Sequence, residues 1–527
     1  MNRRNFLKTT AAGAAAAPIV LGGVPAYART SLEALAQMAP EDDRILVIIQ
    51  LFGGNDGLNT VIPADDDTYY QIRPGIGVPK DKCWNEIGNI YLHPALALGS
   101  HGGLGRMLEQ GNVAIVQGVG YPNPNLSHFR STDIWLSGIN SSDPNVRLDT
   151  GWIGRWLEQK YPDFPASLPE HPLAIQFGGA FSLTLLSSKG RMGIEVTDPS
   201  GQQGVGVQTD VLDAESAGTA YRAEYDFIAD IAGRSNRYAQ AVKDAYAAGR
   251  SQLKSNYSMS DLSKQMGAAA ALIAGGLRSR VYVVSMGGFD THVTQQYAGD
   301  VNGTHPMLLN RLSDAIAQFT NDMIRLGQAD RVVGMTVSEF GRRPHENGSL
   351  GTDHGAASVQ FIFGTQVNSG VYGILPDLAN LNSNGDLLFQ VDYREVYAEI
   401  LTDWFGMTQG DMRTVLQKDD ITPLDVLRAQ PSSVGGGGAS TAIAAITSVA
   451  PNPFSEGAQV EFMIDRSGPV QLTLTSISGA SIATLVEGTL PAGRHTVRVP
   501  AGLPAGNYLL TLHTTSRRDV RGVQCVR

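Results

Sequence analysis

The stretch RILVIIQLFGGNDGLN, residues 44–59, constrains the fold of this chain more than any other. From Ile45 to Leu51 apolar, largely β-branched residues follow one another almost without a break, and Gly53-Gly54 stop them. A run so short and so continuously apolar predicts a buried strand, covered on both faces. Three further runs repeat the arrangement: NVAIVQGVGYP from Asn112, SRVYVVSMGGFDTH from Ser279 and DRVVGMTVSEFGR from Asp330. Each delivers glycine and polar residues at its carboxyl end.

Between the last two runs lies HPMLLNRLSDAIAQFTNDMIRLGQ, which puts Leu308, Leu309, Leu312, Ile316 and Phe319 on one helical face. Strand, helix, strand in that order predicts an α/β domain with a mainly parallel sheet and helices on both faces. Such sheets bind ligands beyond the carboxyl ends of their strands. The segment from Ala214 to Leu277 is patterned as helix and predicts packing elements ahead of the third run. Near residue 430 the composition changes: QPSSVGGGGASTA is a flexible Gly/Ser tether. Beyond it short apolar runs alternate with glycine and proline turns, which predicts a small all-β sandwich. The expected layout is an α/β domain over 40–428, a linker over 429–444 and the sandwich over 445–527.

At 527 residues two to four folding units are expected, and a formal charge of -10 removes the attraction that nonspecific nucleic-acid binding needs. Only Cys83 and Cys525 occur, so no disulfide framework or thiolate metal cluster is expected. The chain opens MNRRNFLKTT, continues through an alanine-rich apolar stretch and reaches Ala26-Tyr27-Ala28. Charged region, apolar region and small-residue site in that order describe an export address over 1–28, and Arg3-Arg4-x-Phe-Leu-Lys resembles a twin-arginine signal. No segment offers about 18 consecutive apolar residues, so the mature chain is expected to lack a transmembrane span.

The polar groups at the strand ends carry the usable chemistry. GGNDGLN holds Asp56, NPNLSHFRSTDIW holds Ser127, His128 and Arg130, and GGFDTH holds Asp290 and His292. SEFGRRPHENGSLGTDHG holds Glu339, Arg342, Asp353 and His354. Carboxylates and imidazoles are the ligands of zinc, manganese and similar divalent ions. Taken singly, Asp56 suits a turn between glycines as well as a metal, and either arginine suits open solvent. Only a sheet that gathers its strand ends would bring the groups together.

GGNDGLN, LSHF, GGFDTH, SEFGR and GTDHG, in this order in an exported chain, closely resemble the bacterial family called domain of unknown function 1501 over about residues 40–425. That family resembles a branch of the alkaline phosphatase and sulfatase superfamily, so the resemblance implies a three-layer α/β fold with a metal centre at the strand ends. It implies metal ligation by Asp56, Asp290, His292, Glu339 and His354, with Asp353 as a further ligand or as hydrogen-bond partner of an imidazole. Ser127 takes the place of the nucleophile, with His128 to steady it, and Arg130 and Arg342 are candidates for binding an anionic group. Phe340 stands where the superfamily pattern has a histidine, which removes one nitrogen ligand. The implied activity is metal-dependent hydrolysis of phosphate or sulfate esters with zinc, manganese or calcium; the alternative is a catalytically degenerate surface protein for binding or assembly on the same fold. The tail resembles a type IX secretion sorting domain through APNPF, LPAGRHTVRV and LPAGNYLLTL. It implies passage through the periplasm to the cell surface or the medium; a carbohydrate-binding or adhesion sandwich is the alternative.

Overall fold

The first strand, β1 (Ile45–Leu51), is buried along its whole length. Successive side chains of a strand point to opposite faces, so Ile45, Val47, Ile49 and Leu51 enter one core while Leu46 and Ile48 enter another. Two apolar faces require a layer on each side, which is what the chain builds. The structure, a computed structural model, describes residues 19–21, 24–26, 43–85, 90–99, 101–200, 237–257, 260–428, 445–451, 454–464, 467–476, 481–491, 493–514 and 518–525.

Besides a short hairpin of Leu186–Ser187 with Gly190–Arg191, the α/β unit contains β2 (Val113–Gly120), β3 (Ala174–Phe177), β4 (Ile194–Val196), β5 (Val281–Met286), β6 (Val332–Ser338), β7 (Gly341–Glu346), β8 (Thr352–Gly355), β9 (Ser358–Phe363), β10 (Gly370–Tyr372) and β11 (Val391–Asp392). Eight of these and β1 form one nine-stranded sheet in the order β10-β2-β9-β6-β1-β5-β3-β4, with β11 also paired to β2. All pairings are parallel except those of β9, which runs antiparallel to both β6 and β2. The four runs singled out in the sequence are β1, β2, β5 and β6. Three of them, β6, β1 and β5, are direct neighbours, so their carboxyl ends lie side by side. β7 and β8 form a separate hairpin that follows β6.

Eight helices are named here: α1 (Asp67–Ile72), α2 (Gly103–Glu109), α3 (His128–Ser137), α4 (Trp152–Lys160), α5 (Asp261–Ala274), α6 (Thr304–Arg325), α7 (Tyr393–Glu399) and α8 (Gln409–Leu416). α2, α5 and α6 cover one face of the sheet; α3, α4, α7 and α8 cover the other. The apolar stripe of α6 is buried as its spacing predicts, with Leu308 the most accessible of the five at 4%. Each such side chain contributes roughly 1.5–3 kcal/mol on burial, so a charged residue at Ile316 would detach the helix from β1 and β5. Of the expected packing segment, residues 237–250 are helical and α5 follows; residues 214–236 lie outside the described residues. Among the described residues no helix is long and apolar enough to cross a membrane.

By its internal contacts the chain divides into two compact units, Asp43–Gln430 being one and Pro431–Arg527 falling in the other. The described part of the second unit is all-β. A three-stranded sheet is formed by Ala445–Ala450, Gln459–Ile464 and Gly493–Arg498, and a four-stranded sheet by Gly468–Ser476, Ser481–Leu490, Gly506–Thr514 and Arg518–Cys525. Alternate residues of the first sheet, Val460, Phe462 and Ile464, meet Leu472, Leu474, Leu510 and Leu512 of the second in a shared core. That is the sandwich the period-2 pattern predicts.

Candidate metal centre

The loops after β1 and β5 approach so closely that only glycine fits between them. Gly53 has φ +120, and a Cβ there would stand 2.2 Å from the backbone nitrogen of Asp290. A second glycine, Gly54, makes room for the Phe340 ring, 2.5 Å from where its Cβ would be. These two positions explain why β1 ends in a glycine pair: they bring the Asp290 loop and the Glu339-Phe340 turn against the first strand.

One buried guanidinium then locks the loops together. Arg342, 1% exposed, donates to the carbonyl oxygens of Gly54 (2.9 Å), Thr352 (2.7 Å) and Phe289 (3.0 Å), to that of Gly53, and to Asp290 Oδ1 at 2.7 Å. It lies opposite His354 in the β7–β8 register. The sequence suggested Arg342 as an anion binder; its donors are committed to backbone carbonyls and to Asp290, so it works as a clamp.

Around Asp290 three imidazoles converge. Asp290 Oδ1 lies 3.1 Å from His292 Nε2 and 3.3 Å from His354 Nε2, and Oδ2 lies 3.5 Å from His128 Nε2. The Nε2 atoms of His292 and His354 are 3.0 Å apart. His128, Asp290 and His354 each offer one donor atom within 4.8 Å of the others. The opposite nitrogen of each ring is held from behind: His128 Nδ1 by Glu339 Oε1 at 2.9 Å, His292 Nδ1 by Asp353 Oδ1 at 3.2 Å and His354 Nδ1 by the Leu126 carbonyl at 2.9 Å. The Phe340 ring packs on His128 and His354, with centroids 4.9 and 4.4 Å away.

Each ring thus has an acceptor on both sides, a carboxylate or carbonyl behind Nδ1 and Asp290 before Nε2; a neutral ring with its proton on Nδ1 presents an Nε2 lone pair toward Asp290. Burial favours the neutral form of His354 and pushes its pKa below the usual value, against the pull of the Leu126 and Asp290 contacts. Burial opposes ionisation of Asp290, yet Arg342 and then His354 outweigh it and hold the carboxyl below its usual range. Asp353 is likewise below its usual range, burial being outweighed by bonds from Asn347 and His292. Nε2 lone pairs brought this close to a carboxylate repel it unless a cation or a proton lies between them. The spacings among Asp290 Oδ1, His292 and His354, 3.0–3.3 Å, are those of neighbouring ligands on a tetrahedral ion with bonds of about 2.0–2.1 Å, and His128, Asp290 and His354 form the compact donor group.

Other residues from the sequence reading lie elsewhere or work differently. Asp56 is fully buried: Oδ1 caps the turn Gly57–Asn59 through Leu58 and Asn59, and Oδ2 accepts from Arg73 and Gln295, each at 2.6 Å. Both oxygens are thus committed, and burial, which opposes its ionisation, is outweighed by Arg73. Glu339, 5% exposed, accepts from the Gly53 N–H at 2.7 Å as well as from His128, which makes it the support of an imidazole. Arg130 donates to the carbonyls of Ser141 (2.8 Å), Asp143 (2.7 Å) and Val146 (3.1 Å), tying down that loop. Ser127 is exposed at the N-cap of α3 but makes no side-chain capping bond. Leu126, Arg73 and Gln295 carried no signal in the sequence, because a carbonyl or a buried ion pair is defined only by the folded chain.

The fold and site define a class: an α/β protein with three imidazoles and a carboxylate gathered beyond the carboxyl ends of parallel strands. Residues 203–418 match the family model described as Protein of unknown function (DUF1501), and residues 1–17 match the signal sequence of the twin-arginine translocation pathway, which directs export across the cytoplasmic membrane. No curated protein matches the chain. Among solved structures, a protein in the alkaline phosphatase superfamily from Vibrio parahaemolyticus is 8% identical, with 88% of this chain and 82% of that chain covered and a TM-score of 0.29. The phosphonate monoester hydrolase of Silicibacter pomeroyi is 10% identical over 91% of this chain and 88% of that one, with a TM-score of 0.32. The Ig1 domain of mouse SynCAM 2 is 10% identical over 16% of this chain and 92% of its own, with a TM-score of 0.12. The fold described above rests on strand order and register, not on these likenesses.

Proposed function

We propose that the α/β unit is a metal-dependent hydrolase of phosphate or sulfate esters acting outside the cytoplasm, and that His128, His292, His354 and Asp290 hold one divalent cation. The observation that carries this is the geometry, in which the Nε2 atoms of three imidazoles lie 3.1–3.5 Å from the Asp290 carboxylate while every Nδ1 is anchored from behind by an acceptor. Such outer anchors are typical of metal-ligating histidines. Three nitrogens and one carboxylate suit zinc, and also manganese; they suit calcium, which takes oxygen ligands, poorly.

A bound divalent ion would supply positive charge that lowers the pKa of a neighbouring hydroxyl and offsets the charge developing on the transferred group. Ser127 is the proposed nucleophile. It stands between Leu126, whose carbonyl anchors His354, and His128, and its hydroxyl is not used to cap α3. Its Oγ would attack phosphorus or sulfur, the alcohol would leave, and water would later release the acid. Glu339 and Asp353 keep His128 and His292 in one tautomer throughout, and Arg342 holds Asp290 toward the ligands.

A second reading, a surface protein for binding or assembly on the same fold, is favoured by Phe340, which packs an apolar ring where the superfamily pattern has a histidine. Assays of aryl phosphates and aryl sulfates with and without added zinc or manganese separate the two. Hydrolysis that depends on metal and disappears in Ser127→Ala, with metal retained, supports the enzyme; hydrolysis unchanged by Ser127→Ala removes the nucleophile assignment. For the sandwich from residue 445 we adopt the sorting role, with the α/β domain over 40–428 as its cargo and type IX machinery as its partner. Deleting the chain beyond residue 440 should then retain the protein in the periplasm.

A further inference from the structure

We infer that Asn347 is a positioning residue of the centre, holding His292 in place as a ligand by gripping both its carbonyl and the Asp353 carboxylate behind its ring. The inference rests on the metal reading above and concerns the ligand with the weakest support. His128, Asp290 and His354 form the compact donor group, and His292 joins it beside Asp290 and His354. Behind His128 stands a buried carboxylate, Glu339, and behind His354 a backbone carbonyl. Behind His292 stands Asp353, and the two side chains are 41% and 52% exposed. Solvent screens such a pair, so that contact alone orients the ring weakly.

Asn347 supplies a second hold. Its Nδ2 donates to the His292 carbonyl at 2.8 Å and to Asp353 Oδ1 at 3.3 Å, while its Oδ1 accepts from the N–H groups of Ser349 at 2.9 Å and Gly351 at 3.2 Å. Two donors and two acceptor sites are the whole capacity of an amide, and all are used. A flipped amide would set donors against N–H groups and its oxygen against a carbonyl and a carboxylate. The backbone closes on the same contact. Thr294 and Gln295 donate to the carbonyls of Ser349 and Leu350 at 2.9 and 2.8 Å, and Thr352 donates to that of Thr291 at 3.2 Å. A Cβ on Gly351 would stand 2.2 Å from the His292 carbonyl oxygen. Thr294 and Leu350 take φ values of 49 and 55, in the left-handed region that favours glycine. Arg343 reaches Asp353 through its charge, with its Nε 3.4 Å from Asp386; besides His292, Asn347 is the hydrogen-bond partner of Asp353 Oδ1 among the described residues.

The test is zinc affinity, read by competition against a chelating dye, in the full-length parent, in Asn347→Ala and Asn347→Asp, and in both substitutions on a His292→Ala background. Asp keeps the oxygen that accepts from Ser349 and Gly351 but turns a second oxygen on the His292 carbonyl and Asp353. Its added negative charge would by itself favour a cation, so weaker binding reports lost positioning. Both variants are expected to bind zinc about 10–100-fold more weakly than the parent and to alter the visible absorption of bound cobalt(II), which follows coordination geometry. On the His292→Ala background neither should change affinity by more than about twofold, because the contact acts through that ring. Parental affinity in both variants, or a loss in Asn347→Ala without one in Asn347→Asp, which would assign the residue to its turn alone, overturns the inference. So does a loss of equal size on the His292→Ala background. Each of these leaves the metal reading standing, whereas parent protein that binds no zinc overturns both.

Discussion

Replacing Arg342 by Met tests whether one side chain assembles the centre. The substitution keeps an unbranched apolar stem but leaves the carbonyls of Gly53, Gly54, Phe289 and Thr352 without their shared donor, and Asp290 without its cation. Breaking a buried charge pair by removing one partner costs about 3–5 kcal/mol. Asp290 is about half exposed, so solvent screens its share; the carbonyls, which Arg342 reaches at 1% exposure, account for most of the loss. At roughly 2 °C per kcal/mol for a large domain, the thermal midpoint of the α/β unit should fall by about 6–10 °C. Freed to turn, Asp290 should also weaken zinc affinity by about 10–100-fold, the usual effect of losing a partner behind a ligand. Lys at this position keeps the charge without the planar fork and should recover only part of either loss. Calorimetry of the metal-free protein and zinc competition against a chelating dye measure the two effects. A midpoint within 1–2 °C of the parent, with unchanged zinc affinity, would refute the clamp.

Acid should destabilise the metal-free protein well above the usual carboxylate range. Burial holds the folded-state pKa of His93 at about 3 and that of His305 at about 4, below the usual 6.5. Stability from both is therefore complete above 6.5 and is lost as pH falls toward those values, by roughly 5 kcal/mol between pH 6.5 and 4.5 for the two together; melting curves of His93→Gln and His305→Gln should show a flatter pH dependence over that window. Asp56→Asn should lower stability by about 3 kcal/mol or more, since Arg73 is left buried without its counter-ion, while metal content measured by atomic emission stays at the parental level. Replacing Arg3-Arg4 by Lys-Lys should leave the protein in the cytoplasm, as fractionation and immunoblotting would show.

The sheet was legible because β1, β5 and β6 are covered on both faces, so hydrophobicity alone marks them, and α6 because its stripe has helical spacing. β9 is less plain: nothing in SVQFIF says that it enters the sheet antiparallel between β6 and β2. The candidate site was legible as a set of residue types at strand ends but not as a division of labour. His128 follows Ser127 in sequence, and adjacency says nothing of where a ring points; only the fold turns its Nε2 to Asp290 and its Nδ1 to Glu339. Asp56 sits in the motif that best suggested a metal, yet Arg73, seventeen residues on, neutralises it inside the core. Arg130 and Arg342 have the chemistry of anion binders, and which acceptors an arginine meets depends on loops distant in sequence.

The claim that three imidazoles and Asp290 form a cation site is tested most directly by metal stoichiometry. Elemental analysis of purified parent protein and of the Asp290→Ala/His354→Ala variant, each dialysed against zinc and then buffer, gives the comparison. The account predicts about one divalent ion per chain in the parent and none in the variant, with the parent's thermal midpoint falling to the variant's range once a chelator removes the ion, because a ligand bound only by the native state stabilises it. Parent protein that holds no metal and melts at the same temperature with and without zinc, or a variant that keeps its ion, would contradict it.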